Sequence, residues 1–197
     1  MKLPLFPLGA VLFPGARMAL RVFEPRYVDL VRDSLKQGAA FGILRIREGR
    51  EVVQPGADPM PRLVPVGTFA RIVDWDADSH NMLNIIVEGE GKFRLLGTEQ
   101  QTNFLVVGEV EPLPAEAALP LPERAHSLLP LMQQLLAHPA IARLQMQPQM
   151  GDGGLLANQL AQLLPIPEAD KFALLTEVDP LVRLDRLLQK LEEIDGS

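Results

Sequence analysis

Four side chains with the spacing of a metal-binding loop stand out in the sequence: Asp74, Asp76, Asp78 and His80. Carboxylate and imidazole groups at alternate positions are ligand types that a bound cation needs. A calcium loop beginning at Asp74 requires glycine at its sixth position and glutamate at its twelfth. Those positions hold Ser79 and Ile85, so the pattern favours a solvated hairpin turn and predicts no metal site.

Candidates for acid–base or nucleophilic catalysis are few. His126 and Ser127 are neighbours, and neighbouring residues on a helix point to different faces, so they do not form a base–nucleophile pair. His138 precedes Pro139 at a predicted helix end, where a cation suits the helix dipole. No set of base, nucleophile and orienting group is recognisable, and the sequence therefore predicts that the chain is not an enzyme.

Glycine-rich segments offer two candidate phosphate or anion sites, and neither has the required pattern. A Walker A loop ends in Gly-Lys-Ser/Thr, whereas Gly91-Lys92 is followed by Phe93, and Ile86 stands where the first glycine belongs. Gly151, Gly153 and Gly154 precede a predicted helix, but no lysine follows them. A helix–helix turn accounts for these three glycines.

The composition limits the classes of protein to consider. A chain of 197 residues, 47% of them hydrophobic, forms one domain or two small ones. The formal net charge of -6 argues against a nucleic-acid-binding protein. The absence of cysteine excludes disulfides and thiolate-bound zinc and favours a reducing compartment, the cytoplasm. Apolar runs are too short or too interrupted by proline for a membrane span or a signal peptide.

Prolines and glycines exclude a long helix from residues 3–27. Three prolines fix φ and push the preceding residues towards extended geometry: Pro4, Pro7 and Pro14. The expected structure is a set of short extended segments with a sharp turn at Pro14-Gly15. An amphipathic helix then begins at Pro25 and ends near Gly38, which suits a left-handed cap.

Alternating apolar residues predict an antiparallel sheet that closes towards a barrel. The predicted strands cover residues 41–47, 63–75, 83–88, 92–95 and 104–110. Gly67 is a candidate bulge or point of close approach, and Gly89-Glu90-Gly91 is predicted to be a hairpin loop. A polar segment at 48–61 is predicted to be an exposed loop.

The composition changes at residues 111–122, where proline and alanine replace β-branched residues. This change predicts a β domain at 1–112, a linker at 113–122 and a helical bundle at 123–197. Leucines recur there at three- and four-residue spacing, as in helices that bury one face against each other.

Several short motifs occur in a distinctive order along the chain. They are L-P-L-F-P-L at 3–8, V-L-F-P-G at 11–15, F-E-P-R-Y at 23–27, F-G-I at 41–43, V-G-T-x-A-x-I at 66–72, and L-N-I…G-x-x-[RK]-F-R at 83–94. This order resembles the amino-terminal, substrate-binding domain of the Lon protease family over nearly the full chain. Lys92, where the family has arginine, and Gly91, which makes the predicted loop permissive, are departures.

The resemblance implies an α+β fold: a PUA-like β pseudo-barrel with one helix, followed by a C-terminal helical bundle. It implies a stand-alone bacterial domain without the ATPase and protease modules. Such a domain is a non-catalytic module for substrate recognition that needs no cofactor. The expected partners are unfolded or partly unfolded polypeptides and a separate protease or chaperone, with no membrane contact.

The resemblance also directs attention to particular side chains. An exposed apolar patch that grips unfolded polypeptide is expected to include Phe13 and Met18, beside the Pro14-Gly15 turn, with Met82 as a weaker candidate. The box of Phe23, Glu24, Pro25, Arg26 and Tyr27 is expected to be structural. In it, Glu24 caps the helix and Arg26 pairs with a carboxylate to lock the helix to the sheet.

Two other functions remain open at this point. PUA-like barrels often bind RNA, and Arg45, Arg47 and Arg50 are the nearest approach to a basic cluster. An enzyme would require a deep cleft lined by Asp74, Asp76 and His80.

Overall fold

The structure, a computed structural model, describes residues 1–52, 60–77 and 82–195 as a mixed sheet and a set of helices. The strands are β1 (Lys2–Leu8), β2 (Arg17–Val22), β3 (Phe41–Glu48), β4 (Arg62–Leu63), β5 (Val66–Ala77), β6 (Leu83–Gln100) and β7 (Val106–Pro112). The helices are α1 (Pro25–Gln37), α2 (Leu128–Ala137), α3 (Pro139–Ala142), α4 (Gly153–Leu163), α5 (Glu168–Thr176) and α6 (Pro180–Asp195).

The sheet closes into a ring. Its hydrogen-bonded order is β1-β7-β6-β5-β3, and β3 pairs again with β1. The β1–β3 pair is parallel and every other described pair is antiparallel. Two strands lie off the ring: β2 pairs with β6, and β4 pairs with β3. The predicted closing of an antiparallel sheet is thus confirmed, apart from the one parallel pair.

Helix α1 has the boundaries that the sequence predicts. Pro25 occupies the first helical turn, where a missing amide hydrogen has no consequence, and Gly38 closes the helix with a φ of 62°. Three of its residues, Tyr27, Leu30 and Val31, are buried in one core with strand residues. The helix therefore covers one side of the ring through a single apolar face.

Strand β6 runs without a break through Gly89-Glu90-Gly91, and the predicted hairpin loop there is wrong. Gly89 exchanges two backbone hydrogen bonds with the β1–β2 loop. The amide of Gly15 donates to its carbonyl at 2.8 Å, and its own amide donates to the carbonyl of Ala16 at 2.9 Å. A β-carbon on Gly89 would overlap the carbonyl oxygen of Phe13. The glycine thus permits close approach of two chain segments instead of forming a turn.

Replacing Gly89 with alanine is expected to lower the free energy of unfolding by about 1–3 kcal/mol, because the backbone of the β1–β2 loop must move away. Gly97 is the matched control, since it lies in the same strand with no heavy atom within 4 Å of an added β-carbon. Gly97→Ala should leave the unfolding free energy within about 1 kcal/mol of wild type. Urea denaturation measures both, and equal effects would contradict the close-approach role of Gly89.

The predicted strand at 63–75 is divided into β4 and β5. Val64 and Pro65 lie between the two strands, and proline has no amide hydrogen with which to continue a ladder. Gly67, at the start of β5, is confirmed as a point of close approach. An added β-carbon there would lie within 3 Å of Leu44, Phe93 and the carbonyl of Ile43.

Three apolar cores are present in the described chain. One fills the ring, with Leu5, Leu44 and Phe93 among its members. A second lies between the ring and α1, and the third lies among the helices that follow residue 122. None of the described helices is long and apolar enough to cross a membrane.

Candidate functional site

The loop between β1 and β2, which contains the candidate peptide-binding residue Phe13, joins the ring to the helices. The amide of Val11 donates to Oε2 of Glu168 at 2.8 Å, and Nε2 of Gln159 donates to the carbonyl of Gly15 at 2.8 Å. Three further bonds link the loop to α4: Phe13 N to Gln162, Gln162 to Val11 O, and Asn158 to Pro14 O. Because helix side chains occupy its backbone groups, this loop is a structural joint.

Phe13 is buried, with 0% of its surface exposed, so the expectation that it borders an exposed apolar patch is wrong. It belongs to the helical core, which also contains Leu128, Met132 and Leu156. The Pro14-Gly15 turn has the composition of an exposed loop, but α4 covers it. Phe13 is therefore unavailable to a ligand in this conformation.

The other two candidate peptide-binding residues are half-buried. Met18 lies on β2 and packs against the core beneath α1, whereas Phe13 belongs to the helical core. Met82 precedes β6 and is partly exposed. Phe13 and Met18 thus belong to different cores and form no common patch. A peptide-binding role for Met18 and Met82 stays a prediction.

The F-E-P-R-Y box anchors α1 to the ring through charge. The expected side-chain cap is wrong, because the Glu24 carboxylate accepts no hydrogen bond from the helix amides and accepts instead from Nη2 of Arg26 at 2.8 Å. Nη1 of Arg26 donates to the carbonyl of Phe104 at 3.0 Å, and its guanidinium lies 4.6 Å from the ring centre of Tyr27. Burial raises the pKa of Tyr27 to about 12, which keeps the phenol neutral. Arg26 therefore pairs with a carboxylate as expected, but that carboxylate is the neighbouring Glu24, and the bond to the Phe104 carbonyl is what ties the helix to the sheet.

Phe23 departs from the structural role expected for the whole box, because 53% of its surface is exposed. It lines a small depression between β1 and β2 with Phe6, Leu20 and Val52. The neighbouring Pro25 opens α1 as expected.

The acidic cluster shows no metal geometry where it is described. Oδ1 of Asp74 accepts from the amide of Trp75 at 2.9 Å, and Asp76 follows on β5. Asp78 and His80 lie outside the described residues. Within residues 1–52, 60–77 and 82–195, no group of three His, Asp or Glu side chains is placed to hold a metal ion.

The glycines before α4 hold no free anion site. Oδ1 of Asp152 accepts from the amides of Gly154 and Leu155 at 2.9 and 3.2 Å. The protein's own carboxylate therefore occupies the amides that an external anion would use. At the start of α3, Nδ1 of His138 accepts from the amide of Ala140 at 3.2 Å, so the imidazole acts as a cap.

A buried polar cluster joins the segment after β7 to β6, α5 and α6. Arg183, 1% exposed, donates to both carboxylate oxygens of Glu116 at 2.7 and 2.5 Å. Lys92 of β6 donates to Glu116 at 2.6 Å and to the carbonyl of Leu175 at 3.1 Å. Although burial opposes it, hydrogen bonding to Arg183 and Lys92 holds the pKa of Glu116 below its ordinary value. All three charges are satisfied internally, which marks a structural cluster.

A cavity with an apolar floor lies where β4 and β6 diverge. The last described backbone bond between the two sides is from the Leu95 amide to the Pro65 carbonyl, at 2.8 Å. Beyond it, within the described residues, β4 pairs with β3 alone and β6 pairs with β7 alone. The cavity between them, called the β4–β6 groove, has a volume of about 670 Å³. Its lining is Arg47, Glu48, Met60, Pro61, Arg62, Leu63, Pro65, Leu95, Leu96, Gly97 and Thr98.

The floor and the rim of the β4–β6 groove differ in chemistry. Leu63 and Leu95 are partly buried and pack against the core inside the ring, whereas Leu96 is 57% exposed. Arg62 pairs with Glu48 at 3.1 Å in solvent, and Arg47 makes no ion pair within the described chain. The groove therefore combines an apolar floor, two strand edges without a described partner, and a rim with surplus positive charge.

The sequence contains one signal for this groove. Apolar and polar residues alternate from Lys92 to Leu95, and Leu96 then breaks the alternation. The pairing of β6 with β7 shifts register between Leu95 and Gly97, so Leu96 lies at an irregularity of the strand, and its side chain is exposed. The β4 wall of the groove is not apparent from the sequence, because it forms only where β4 separates from β6 in the folded protein.

A second depression, of about 340 Å³, lies on β2, β6 and β5 beside the only tryptophan of the chain. Trp75 is 55% exposed, with Asp74, Asp76 and Arg143 around it. Only β6 is paired on both sides there, because β2 and the Trp75 end of β5 each pair with β6 alone among the described strands.

Comparison with protein families identifies a match over almost the whole chain. The family model of the ATP-dependent protease La (LON) substrate-binding domain matches residues 2–193. The chain is 27% identical to Lon protease of Anaeromyxobacter dehalogenans over 202 residues and 32% identical to Lon protease 4 of Sorangium cellulosum over 200 residues. Each alignment covers 96% of this chain but only 23% of the relative.

Solved structures show the same similarity. The Lon N-terminal domain protein from Xanthomonas campestris has a TM-score of 0.72 at 33% identity, covering 96% of this chain and 98% of that one. The N-terminal domain of Lon protease from Mycobacterium avium complex shares the fold with a TM-score of 0.63 at 17% identity, covering 96% and 97%.

Proposed function

Because the chain belongs to the LON substrate-binding domain family, we propose that it is a non-catalytic module that binds polypeptide segments of protein substrates. Family membership supports substrate recognition, and the residues matched, 2–193, are those of the substrate-binding domain.

The observation that carries the site assignment is the β4–β6 groove. It offers an apolar floor and exposed Leu96 beside strand edges without a described partner. Apolar segments are buried in folded proteins and exposed in unfolded ones, so an apolar groove selects unfolded segments. We propose that the ligand is an unfolded or partly unfolded polypeptide.

We also infer the finer organisation that fits this role. The ring at 1–112 is a PUA-like pseudo-barrel, residues 113–122 are a linker, and residues 123–197 are a helical bundle that supports the ring. The module works in the cytoplasm beside a protease or chaperone that processes the bound polypeptide.

Replacing Leu96 with aspartate is expected to weaken binding of a reduced, carboxymethylated and permanently unfolded model protein by about tenfold or more. The physical reason is the loss of an apolar contact and the introduction of a charge that the bound polypeptide would cover. Fluorescence anisotropy with the labelled model protein measures the dissociation constant.

The matched control is Val178→Asp, because Val178 is apolar, 82% exposed and outside the groove. It should leave the affinity unchanged. Loss of binding in Trp75→Asp together with full binding in Leu96→Asp would move the site to the outer face of β5 and β6. Absence of binding by the wild-type protein at millimolar concentration would refute the proposed function.

A further inference from the structure

Building on the proposed function, we propose that the β4–β6 groove takes an extended segment by strand addition to β6. The segment carries apolar side chains at alternate positions and acidic side chains between them. The ligand thus continues the sheet beyond Arg94, where the described pairing of β5 with β6 ends.

Backbone hydrogen bonding is the first reason. Strand β6 continues to Gln100, and from Leu95 onwards its described strand partner is β7 alone. Every strand directs its amides and carbonyls to both sides, so the side of β6 that faces the groove presents groups without a described strand partner. An extended polypeptide supplies the complementary groups, as in other cases of strand addition.

The apolar floor sets the side-chain spacing. Leu63 and Leu95 face the groove from opposite walls, and both pack on the core that contains Leu44 and Phe93. Side chains of a strand alternate between two faces, so every second residue of an added strand points to this floor. Apolar side chains at i and i+2 therefore extend the ring core into the groove.

The charged rim of the β4–β6 groove determines which residues suit the ligand positions between its apolar side chains. Two arginines, Arg47 and Arg62, line the groove against one carboxylate, Glu48, although the chain as a whole carries a net charge of -6. Arg47 has no ion-pair partner in the described residues. An acidic residue on the outward face of the added strand would meet this cation.

Backbone methylation of a peptide tests strand addition directly. The probe is a fluorescein-labelled octapeptide of alternating leucine and glutamate, made also with N-methyl groups on its leucines only or on its glutamates only. In a strand, alternate amides point to opposite edges, so one methylated form should lose about tenfold in affinity while the other stays within about twofold. The groove-facing amides among Leu96–Thr98 should also become protected from hydrogen exchange.

Equal effects of the two methylated forms would overturn strand addition. If the unfolded model protein still bound and Leu96→Asp still weakened it, the proposed function would survive that result. If neither the peptide nor the model protein bound, both proposals would fail. A peptide with the same composition arranged as Leu-Leu-Glu-Glu repeats should bind more weakly, because its apolar residues do not share one face.

Charge selection is tested with a leucine–lysine octapeptide, which should bind about fivefold more weakly than the leucine–glutamate form. Arg47→Glu should reverse this order, and Arg32→Glu, on the exposed face of α1, should not. Tight, steeply salt-dependent binding of a single-stranded RNA octamer that Arg47→Glu abolishes would assign the rim to nucleic acid and overturn the proposal.

Discussion

Replacing Arg183 with methionine is expected to lower the free energy of unfolding by about 3–5 kcal/mol, the largest loss for any single charge in the described chain. The guanidinium is 1% exposed and binds Glu116 through two oxygens. It also donates to the carbonyls of Leu174 and Glu177 at 3.0 and 2.6 Å. Methionine fills the space but leaves these acceptors without a donor. Urea denaturation measures the loss.

Arg124→Met is the matched control, because Arg124 pairs with Asp185 at 2.8 Å in solvent, with about half of each side chain exposed. Such a pair contributes little to folding stability, because solvent screens the two charges. Similar losses in the two variants would contradict a special role for the buried cluster.

The pH dependence provides a second readout for the Arg183 variant. Because the pKa of Glu116 is lowered in the folded protein, its ion pairs stabilise the fold above the ordinary glutamate pKa of about 4.3. This stabilisation is lost as the pH falls below about 4.3 and passes through the lowered pKa of Glu116 in the folded protein. In Arg183→Met the pKa of Glu116 is less depressed, so its unfolding free energy should fall less steeply in acid than that of wild type.

Replacing Phe13 with alanine is expected to lower the free energy of unfolding by about 3–5 kcal/mol, because the ring fills space in the helical core. The joint between ring and helices would lose its central apolar contact. Phe23→Ala is the matched control, since Phe23 is 53% exposed and should cost less than about 1 kcal/mol. Thermal and urea unfolding compare the two, and a small effect of Phe13→Ala would contradict its burial.

Local chemistry explains the elements that the sequence predicts correctly. Pro25 and Gly38 bound α1 because each has a conformational preference that depends only on its own backbone. The same is true of Asp179, which accepts from the Leu181 amide at 2.8 Å before Pro180 opens α6. Such signals act within a few residues, so a single sequence contains them.

Sequence patterns whose meaning depends on residues distant in the chain lead to wrong predictions. Gly89 allows either a turn or a close approach, and only the position of the Phe13 carbonyl shows which one applies. Asn158, Gln159 and Gln162 interrupt the apolar pattern of α4, and their amides bind the β1–β2 loop. These polar residues in an apolar helix were the available sign that Phe13 lies beneath α4.

By itself, the sequence determined the family, the alternation of strands and helices, and the limits of α1, because motifs and local backbone preferences reside in contiguous residues. Only the tertiary structure decided which apolar side chains remain exposed. Burial depends on what packs over a residue from elsewhere in the chain: α4 covers Phe13, whereas the separation of β4 from β6 leaves Leu96 open. The candidate site therefore lies in the β4–β6 groove and not at the Pro14-Gly15 turn, where the sequence predicts it.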